Sequence, residues 1–145
     1  MPTDGDLPGF EPNASVVRIV DGDTIIADLD GRDERIRLIG IDTPESVIPD
    51  TPPECFGPEA SDHLESLIPP GTDILIERDA EARDKFDRLL GYIYRSSDGQ
   101  FVNLQMATDG FAYPLTIAPN DTHAGTISDA VALARRDDLG LWAVC

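Results

Sequence analysis

The chain has 145 residues, of which 41% are hydrophobic, a length and composition typical of one globular domain with its own core. Aspartate and glutamate number 28 against 11 lysines and arginines, which gives a formal net charge of −17. Because nucleic-acid-binding domains usually carry a basic surface, this charge taken alone argues against a polyanionic partner. No hydrophobic run approaches the ~20 residues of a membrane-spanning helix.

The first 15 residues, MPTDGDLPGFEPNAS, are acidic and rich in proline and glycine. We predict a flexible N-terminal segment over residues 1–15 and one folded domain over residues 16–145. The segment has neither the basic start nor the apolar stretch of a signal peptide, so none is predicted in this chain.

The hydrophobic patterns predict five strands and three helices. The strands are expected at residues 16–20, 24–29, 34–41, 72–78 and 88–95, with an Asp-Gly hairpin turn after the first. The helices are expected at residues 58–68, 101–110 and 126–140, with Pro58 in the first turn of the first and Asn103 as a cap of the second. This order predicts a mainly β fold with α additions (α+β): a five-stranded barrel of OB type with three helices.

The chain contains two cysteines, Cys55 and Cys145, and their spacing matches no zinc motif. Either both are free thiols, or they form one disulfide that ties the C-terminus to the loop before the first helix. We favour the disulfide. A disulfide indicates an oxidising compartment, and the missing signal peptide weighs against that interpretation.

Two pairs of carboxylates lie beside turns: Asp21 and Asp23 in DGDT, and Asp42 and Glu45 in DTPE. Each motif also has a purely structural interpretation, DGDT as a type I′ hairpin and DTPE as a helix N-terminus. Together they favour a cation site, because hard divalent cations bind carboxylate and carbonyl oxygens. We expect Asp23, Asp42 and the Thr43 carbonyl to share one ion, with Glu45 placed to hold or deprotonate a water molecule.

Arg37 lies in mid-strand within RLIGIDTPE, on a face that aliphatic neighbours predict to be partly buried. A charge in such a place requires a partner. A planar guanidinium is suited to a phosphate, and a fixed cation there would stabilise the charge that builds during attack at phosphorus. Arg88 is the best second candidate for this role. The alternative is that both arginines pair with some of the 28 carboxylates.

Seven motifs, in this order, resemble the staphylococcal nuclease (thermonuclease) family from about Val16 to Trp142: IVDGDT, RLIGIDTPE, CFGPEAS, RDKFDRLLGYIY, VNLQMATDGFA, PND and LGLW. The resemblance implies a five-stranded OB barrel with three helices and a calcium-dependent endonuclease that hydrolyses DNA and RNA. In that family water attacks phosphorus and the bond to the 5′-oxygen breaks, which leaves a 3′-phosphate.

The resemblance also implies two groups of site residues. The positions that match calcium ligands or lie near the metal are Asp23, Asp42, Thr43 and Asp21. The positions that match catalytic residues are Glu45 as general base and the phosphate-binding Arg37 and Arg88.

The chain departs from the family at the substrate contacts. Phe86-Asp87 stands where the family often has Tyr-Gly, so the ring is kept without its hydroxyl, and Asp87 takes a backbone position suited to glycine. We expect Asp87 to draw Arg88 away from a substrate, and Lys85, Phe86 and Tyr113 to contact it. The tyrosines of the family's base-stacking surface are missing from residues 115–118.

The expected partners are DNA and RNA, preferably single-stranded or denatured, with no membrane partner and a monomeric state. The resemblance implies a secreted or cell-envelope protein. The charge of −17 fits either adaptation to salt or a field that concentrates calcium. The alternatives are a catalytically silent OB-fold module that binds nucleic acid or protein, and a calcium-binding structural domain.

Overall fold

The computed structural model describes residues 11–45 and 54–145 of the chain. The strands are β1 Ala14–Asp21, β2 Thr24–Leu29, β3 Arg32–Leu38, β4 Gly40–Asp42, β5 Asp73–Glu77, β6 Leu89–Arg95 and β7 Tyr113–Leu115. The helices are α1 Gly57–Leu67, α2 Val102–Thr108, α3 Ala124–Arg136 and the single turn α4 Leu141–Val144.

Five of the strands close into a barrel in the order β1-β2-β3-β6-β5. The β1–β2–β3 meander is antiparallel, β5 pairs antiparallel with β1 and β6, and a short parallel pairing of β3 with β6 closes the barrel. The barrel core is aliphatic and includes the fully buried Ile25, Ile36, Leu38, Ile74 and Ile93. The predicted α+β fold, a five-stranded OB-type barrel with three helices, is confirmed.

The strand predicted over residues 34–41 breaks at Ile39, and β4 begins at Gly40. Gly40 has a φ of +90°, and a Cβ there would lie 2.6 Å from Cδ1 of Ile127, so both the backbone and the close packing of α3 require glycine. Beyond the break β4 leaves the barrel and pairs with β7, a strand that the sequence analysis did not predict. The break therefore separates Arg37 in the barrel from Asp42 on a second, two-stranded sheet.

The turn that joins β1 to β2 is not the type I′ turn that DGDT suggested, since neither Gly22 nor Asp23 has a positive φ. Glycine is required here by close approach: a Cβ on Gly22 would lie 2.6 Å from Oγ1 of Thr43 and 2.8 Å from Cβ of Ala60. The tip of the hairpin therefore packs directly on the DTPE segment and on α1.

Asn103 does not cap α2 as predicted. Its side chain is fully buried, accepts the N–H of Ile93 at 2.8 Å and donates to the carbonyl of Ile39 at 2.8 Å. It therefore ties α2 to β6 and to the break between β3 and β4.

The N-terminal segment predicted over residues 1–15 lies outside the described residues as far as residue 10, and β1 begins at Ala14. Residues 46–53, in the loop before α1, also lie outside the described residues. Cys55, just before α1, and Cys145, just after α4, form a disulfide with a Cα–Cα distance of 6.0 Å. Among the described residues, no helix is both long and apolar enough to span a bilayer.

Candidate active site

Asp23 links the tip of the β1–β2 hairpin to the DTPE segment. Its side chain is 5% exposed, and its Oδ2 accepts the N–H of Thr43 at 3.0 Å. Its Oδ1 accepts the hydroxyl of Thr24 at 2.9 Å. Asp21 and Thr43 are also buried. The sequence motifs DGDT and DTPE therefore meet at one place, through Asp23 and Thr43, which are 20 residues apart.

Arg37 lies against the same carboxylates. Its Nη2 is 3.3 Å from Oδ2 of Asp23 and 3.6 Å from Oδ1 of Asp42. Its Nη1 donates to the carbonyls of Leu38 at 2.6 Å and Ile41 at 2.8 Å. These four contacts hold the guanidinium in one position, and only 13% of the side chain is exposed. In this structure the partner of Arg37 is thus a pair of carboxylates, the alternative that the sequence left open.

Glu45 adds a further carboxyl group to this cluster. A hydrogen bond with Asp21, followed by partial burial and by the negative charges of Asp21, Asp23 and Asp42, raises the pKa of Glu45 to about 7. The backbone of Glu45 is held by Glu54, whose Oε1 accepts its N–H at 2.8 Å and whose N–H binds its carbonyl at 2.9 Å. A carboxyl group with a pKa near neutrality is suited to accept and return a proton.

We expect the raised pKa of Glu45 to make stability fall as pH rises, when a chelator removes divalent cations. The folded state retains the Glu45 proton up to about pH 7, whereas the unfolded state loses it near pH 4.5. The contribution of this group to the free energy of unfolding is therefore complete below pH 4.5 and is lost as the pH rises from 4.5 to about 7. We expect the free energy of unfolding to fall by on the order of 1 kcal/mol over this pH range, once solvent screening is allowed for. Urea unfolding of the parent protein at several pH values measures it.

Glu45→Gln is the matched control, because an amide can donate to Asp21 as the protonated acid does but does not titrate. The difference in unfolding free energy between parent and variant should change over this pH window. A difference that is the same at every pH would contradict the assignment of the raised pKa to Glu45.

The carboxylates Asp23 and Asp42 fit a cation. Both already face one positively charged nitrogen of Arg37. Partial burial and the charge of Asp23 raise the pKa of Asp42, and Arg37 offsets only part of this rise. The hydroxyl of Thr43 is buried without a hydrogen-bond partner. Within the described ranges no three acidic, histidine or cysteine side chains already converge as a metal-binding group. The donor chemistry is nevertheless that of a hard divalent cation.

Arg88 is paired with a carboxylate other than the one that the sequence suggested. Its Nε donates to Oδ2 of Asp84 at 2.7 Å, while Oδ1 of Asp84 accepts the N–H groups of Phe86 and Arg88, each at 2.9 Å. Burial alone would raise the pKa of Asp84, but these hydrogen bonds outweigh it and hold the pKa below its usual range. The expectation that Asp87 draws Arg88 away is therefore wrong: the partner is Asp84.

Asp87 instead contacts Arg83. Its φ of +63° confirms that it occupies a backbone position suited to glycine. Nη1 of Arg83 donates a hydrogen bond to the carbonyl of Asp87 at 2.8 Å and lies 3.7 Å from the Asp87 carboxylate. Arg83 also forms a two-point pair with Glu34 on β3, at 3.0 and 3.3 Å. The loop that carries Arg88 is thereby fastened to the barrel.

A cleft of about 480 Å³ lies between this loop, the β3–β4 segment and the chain after β7. Its walls include Arg37, Lys85, Phe86 and Arg88 from the predicted site. The Phe86 ring is 68% exposed, with Nζ of Lys85 5.2 Å and Cζ of Arg88 5.4 Å from its centroid. Tyr113 does not line the cleft but lies opposite Asp42 in the pairing of β4 with β7.

Three residues that hold this site together were not singled out from the sequence: Glu54, Arg83 and Asp84. The spacing of four residues between Asp84 and Arg88 was a usable signal, but in a loop it does not imply contact. Glu54 and Arg83 carried no signal, because only the fold brings Glu54 to the backbone of Glu45 and Arg83 to the carboxylate of Glu34.

Comparison with known proteins places the chain among nucleases. The family described as "Staphylococcal nuclease homologue" matches residues 35–144. The chain is 39% identical over 127 residues to the thermonuclease of Staphylococcus intermedius, covering 88% of this chain and 74% of that protein. It is 33% identical over 132 residues to the thermonuclease of Staphylococcus hyicus, covering 91% and 76%. It is also 35% identical over 137 residues to Endonuclease YhcR of Bacillus subtilis, covering 88% of this chain but 11% of that protein.

Proposed function

The chain belongs to the staphylococcal nuclease family, and from that premise we propose that it is a calcium-dependent endonuclease. Its substrates are DNA and RNA, preferably single-stranded or denatured. Hydrolysis proceeds by attack of water on phosphorus with loss of the 5′-oxygen, and the product ends in a 3′-phosphate.

The observation that carries this proposal is the distribution of positive charge. The chain has 11 basic residues against 28 acidic ones, yet four basic residues, Arg37, Arg83, Lys85 and Arg88, line one cleft with only two acidic residues, Glu81 and Asp84. Basic side chains beside a group of carboxylates are the arrangement that a phosphodiester and a divalent cation require together. The lining of the cleft is therefore less acidic than the chain as a whole, although Arg37, Arg83 and Arg88 are each paired with carboxylates.

In the proposed reaction Arg37 and Arg88 bind the phosphate. Nη1 of Arg37 is held by two backbone carbonyls, which fix the guanidinium at the edge of the cleft. Its Nη2 exchanges Asp23 and Asp42 for the phosphate. Arg88 exchanges its pairing with Asp84 for the phosphate. Glu45, with a pKa of about 7, accepts the proton of the attacking water.

The residues that would hold calcium are Asp23, Asp42 and the carbonyl of Thr43, with Asp21 nearby. When bound, the ion supplies positive charge that polarises the phosphate oxygens and favours loss of a proton from water. Asp23 and Asp42 orient toward a common positive charge in any case, since both contact Arg37.

The test is hydrolysis of denatured DNA with calcium, against a chelator, over a series of salt concentrations. We expect cleavage that requires calcium and that first rises with salt, because shortening the Debye length from ~10 Å at 0.1 M to ~3 Å at 1 M removes long-range repulsion from a chain of charge −17. At higher salt, cleavage should fall as phosphate contacts weaken.

Glu45→Gln, purified in the same way, is the control for contaminating nucleases. Cleavage that only declines from the lowest salt upward would contradict this interpretation of the acidic surface. Absence of cleavage at every salt concentration, with calcium still bound, would overturn the proposed activity in favour of a silent binding module.

We further propose that the protein acts as a monomer in a secreted or cell-envelope location. The Cys55–Cys145 disulfide supports an oxidising compartment.

A further inference from the structure

A second basic and aromatic surface lies outside the cleft, and we name it the Trp142 surface: Tyr113, Trp142 and Arg135. Cζ of Arg135, in the last turn of α3, lies 5.5 Å from the centroid of the Trp142 ring. The rings of Tyr113 and Trp142 meet edge to face with centroids 5.2 Å apart. These contacts join three side chains from β7, α3 and α4 into one continuous surface.

The Trp142 surface begins beside the candidate active site. Tyr113 lies directly opposite Asp42 in the antiparallel register of β4 and β7. Side chains of directly opposed residues project from the same face of a sheet. Both are accessible, with 52% of the Asp42 side chain and 37% of Tyr113 exposed. A ligand that passes Asp42 on this side therefore meets Tyr113 next and Trp142 after it.

The charge of this surface differs from that of most of the chain. Arg135 is exposed and has no ion pair with any described residue, although acidic residues outnumber basic ones 28 to 11. Arg136, its neighbour, pairs with Asp137 at 3.0 Å. A groove of about 490 Å³ runs along α3 here and is lined by both arginines, Trp142 and Pro114.

We propose that the Trp142 surface binds the part of a single-stranded nucleic acid that extends past the scissile phosphate on the Asp42 side. This inference rests on the proposed nuclease function. Tyr113 is exposed and Trp142 is half-buried against the core. Accessible aromatic rings beside an arginine are typical of surfaces that bind single strands without sequence preference. The charge complementarity favours a polyanion, and the continuity with Asp42 provides a path for a strand whose phosphate occupies the cleft.

A purely structural role for Arg135 makes a different prediction. A cation in the last turn of a helix interacts favourably with the helix dipole, and its packing on Trp142 adds stability. In that case substitution of Arg135 would lower stability and would affect substrates of every length equally.

The experiment compares a dinucleotide, which reaches only the cleft, with a single-stranded oligonucleotide of about 16 nucleotides. The variants are Arg135→Gln and Tyr113→Leu. The control is Arg18→Gln, which makes the same change in net charge at an exposed arginine on β1. Binding is measured by fluorescence anisotropy with calcium, in a Glu45→Gln background, so that the result does not depend on turnover.

Arg135→Gln should weaken oligonucleotide binding about fivefold and lower the slope of log affinity against log salt by about 0.7, the value for one phosphate contact on a single strand. Tyr113→Leu should weaken it about fivefold or more through lost stacking. Dinucleotide binding should stay within about twofold in Arg135→Gln, and Arg18→Gln should leave the salt slope unchanged.

Equal losses for the dinucleotide and the oligonucleotide, or an unchanged oligonucleotide affinity, would overturn the inference. Failure of the proposed function gives a different result: the parent protein would not cleave either substrate, whatever the effect of Arg135→Gln on binding.

Discussion

Replacing Arg37 with alanine is expected to lower the rate of phosphodiester hydrolysis by about 10²–10³ without lowering the affinity for calcium. The rate falls because a preorganised cation is lost from the edge of the cleft. Calcium affinity should be kept or increased, because Arg37 neutralises Asp23 and Asp42 and therefore competes with any cation for them. Initial rates on denatured DNA and calorimetric titration with calcium measure the two effects separately.

The same variant should also be less stable when calcium is removed. Asp23 is almost fully buried, so without Arg37 its charge is left uncompensated, at a cost on the order of 2 kcal/mol. Calcium should restore this stability by binding the folded state. A thermal unfolding series with calcium and with chelator checks both statements.

Two further variants sharpen the assignment of Arg37. Arg37→Lys keeps the charge but loses the planar, two-point geometry, so most of the rate loss should remain. Asp42→Asn should weaken calcium binding and activity together, because it removes a candidate ligand. A collapse of calcium affinity in Arg37→Ala would show that Arg37 serves the metal site and that its assignment to phosphate is wrong.

Removing the disulfide is expected to lower the free energy of unfolding by about 4 kcal/mol, within a range of about 2–5 kcal/mol. Cys55 and Cys145 are 90 residues apart, so the bond closes a long loop and strongly restricts the unfolded chain. Urea unfolding of Cys55→Ser/Cys145→Ser against the oxidised parent gives the difference from the two midpoints and slopes.

The parent protein in reductant is the matched control, and its unfolding curve should approach that of the double variant. The double variant avoids the free thiol that either single substitution would leave. Coincident unfolding curves for the oxidised parent, the reduced parent and the double variant would show that the bond does not contribute to stability.

The disulfide also bears on the active site, since Cys55 directly follows Glu54. Glu54 holds the backbone of Glu45 through two hydrogen bonds, and its carbonyl accepts the N–H of Gly57 at the start of α1. The backbone of Glu45, the candidate general base, is therefore hydrogen-bonded to a segment that the disulfide links to the C-terminus.

Much of the fold follows from local patterns in the sequence. Alternation of apolar residues identified the five barrel strands, and Pro58 marked the start of α1, because these signals depend on neighbours a few residues apart. The break just before Gly40 did not follow, although the glycine was visible. It depends on Ile127, 87 positions later, whose side chain occupies the space that a Cβ would need.

The sequence by itself determined which residue types the candidate site contains: the acids of DGDT and DTPE, the arginine in mid-strand, and the basic and aromatic residues before Arg88. The tertiary structure alone decided which of these groups touch. Arg88 pairs with Asp84 and not with the adjacent Asp87, because the loop turns back through the left-handed backbone of Asp87 and is fastened to Glu34 by Arg83. With 28 carboxylates available to 11 basic residues, composition permits many pairings, and the packing of distant segments selects among them.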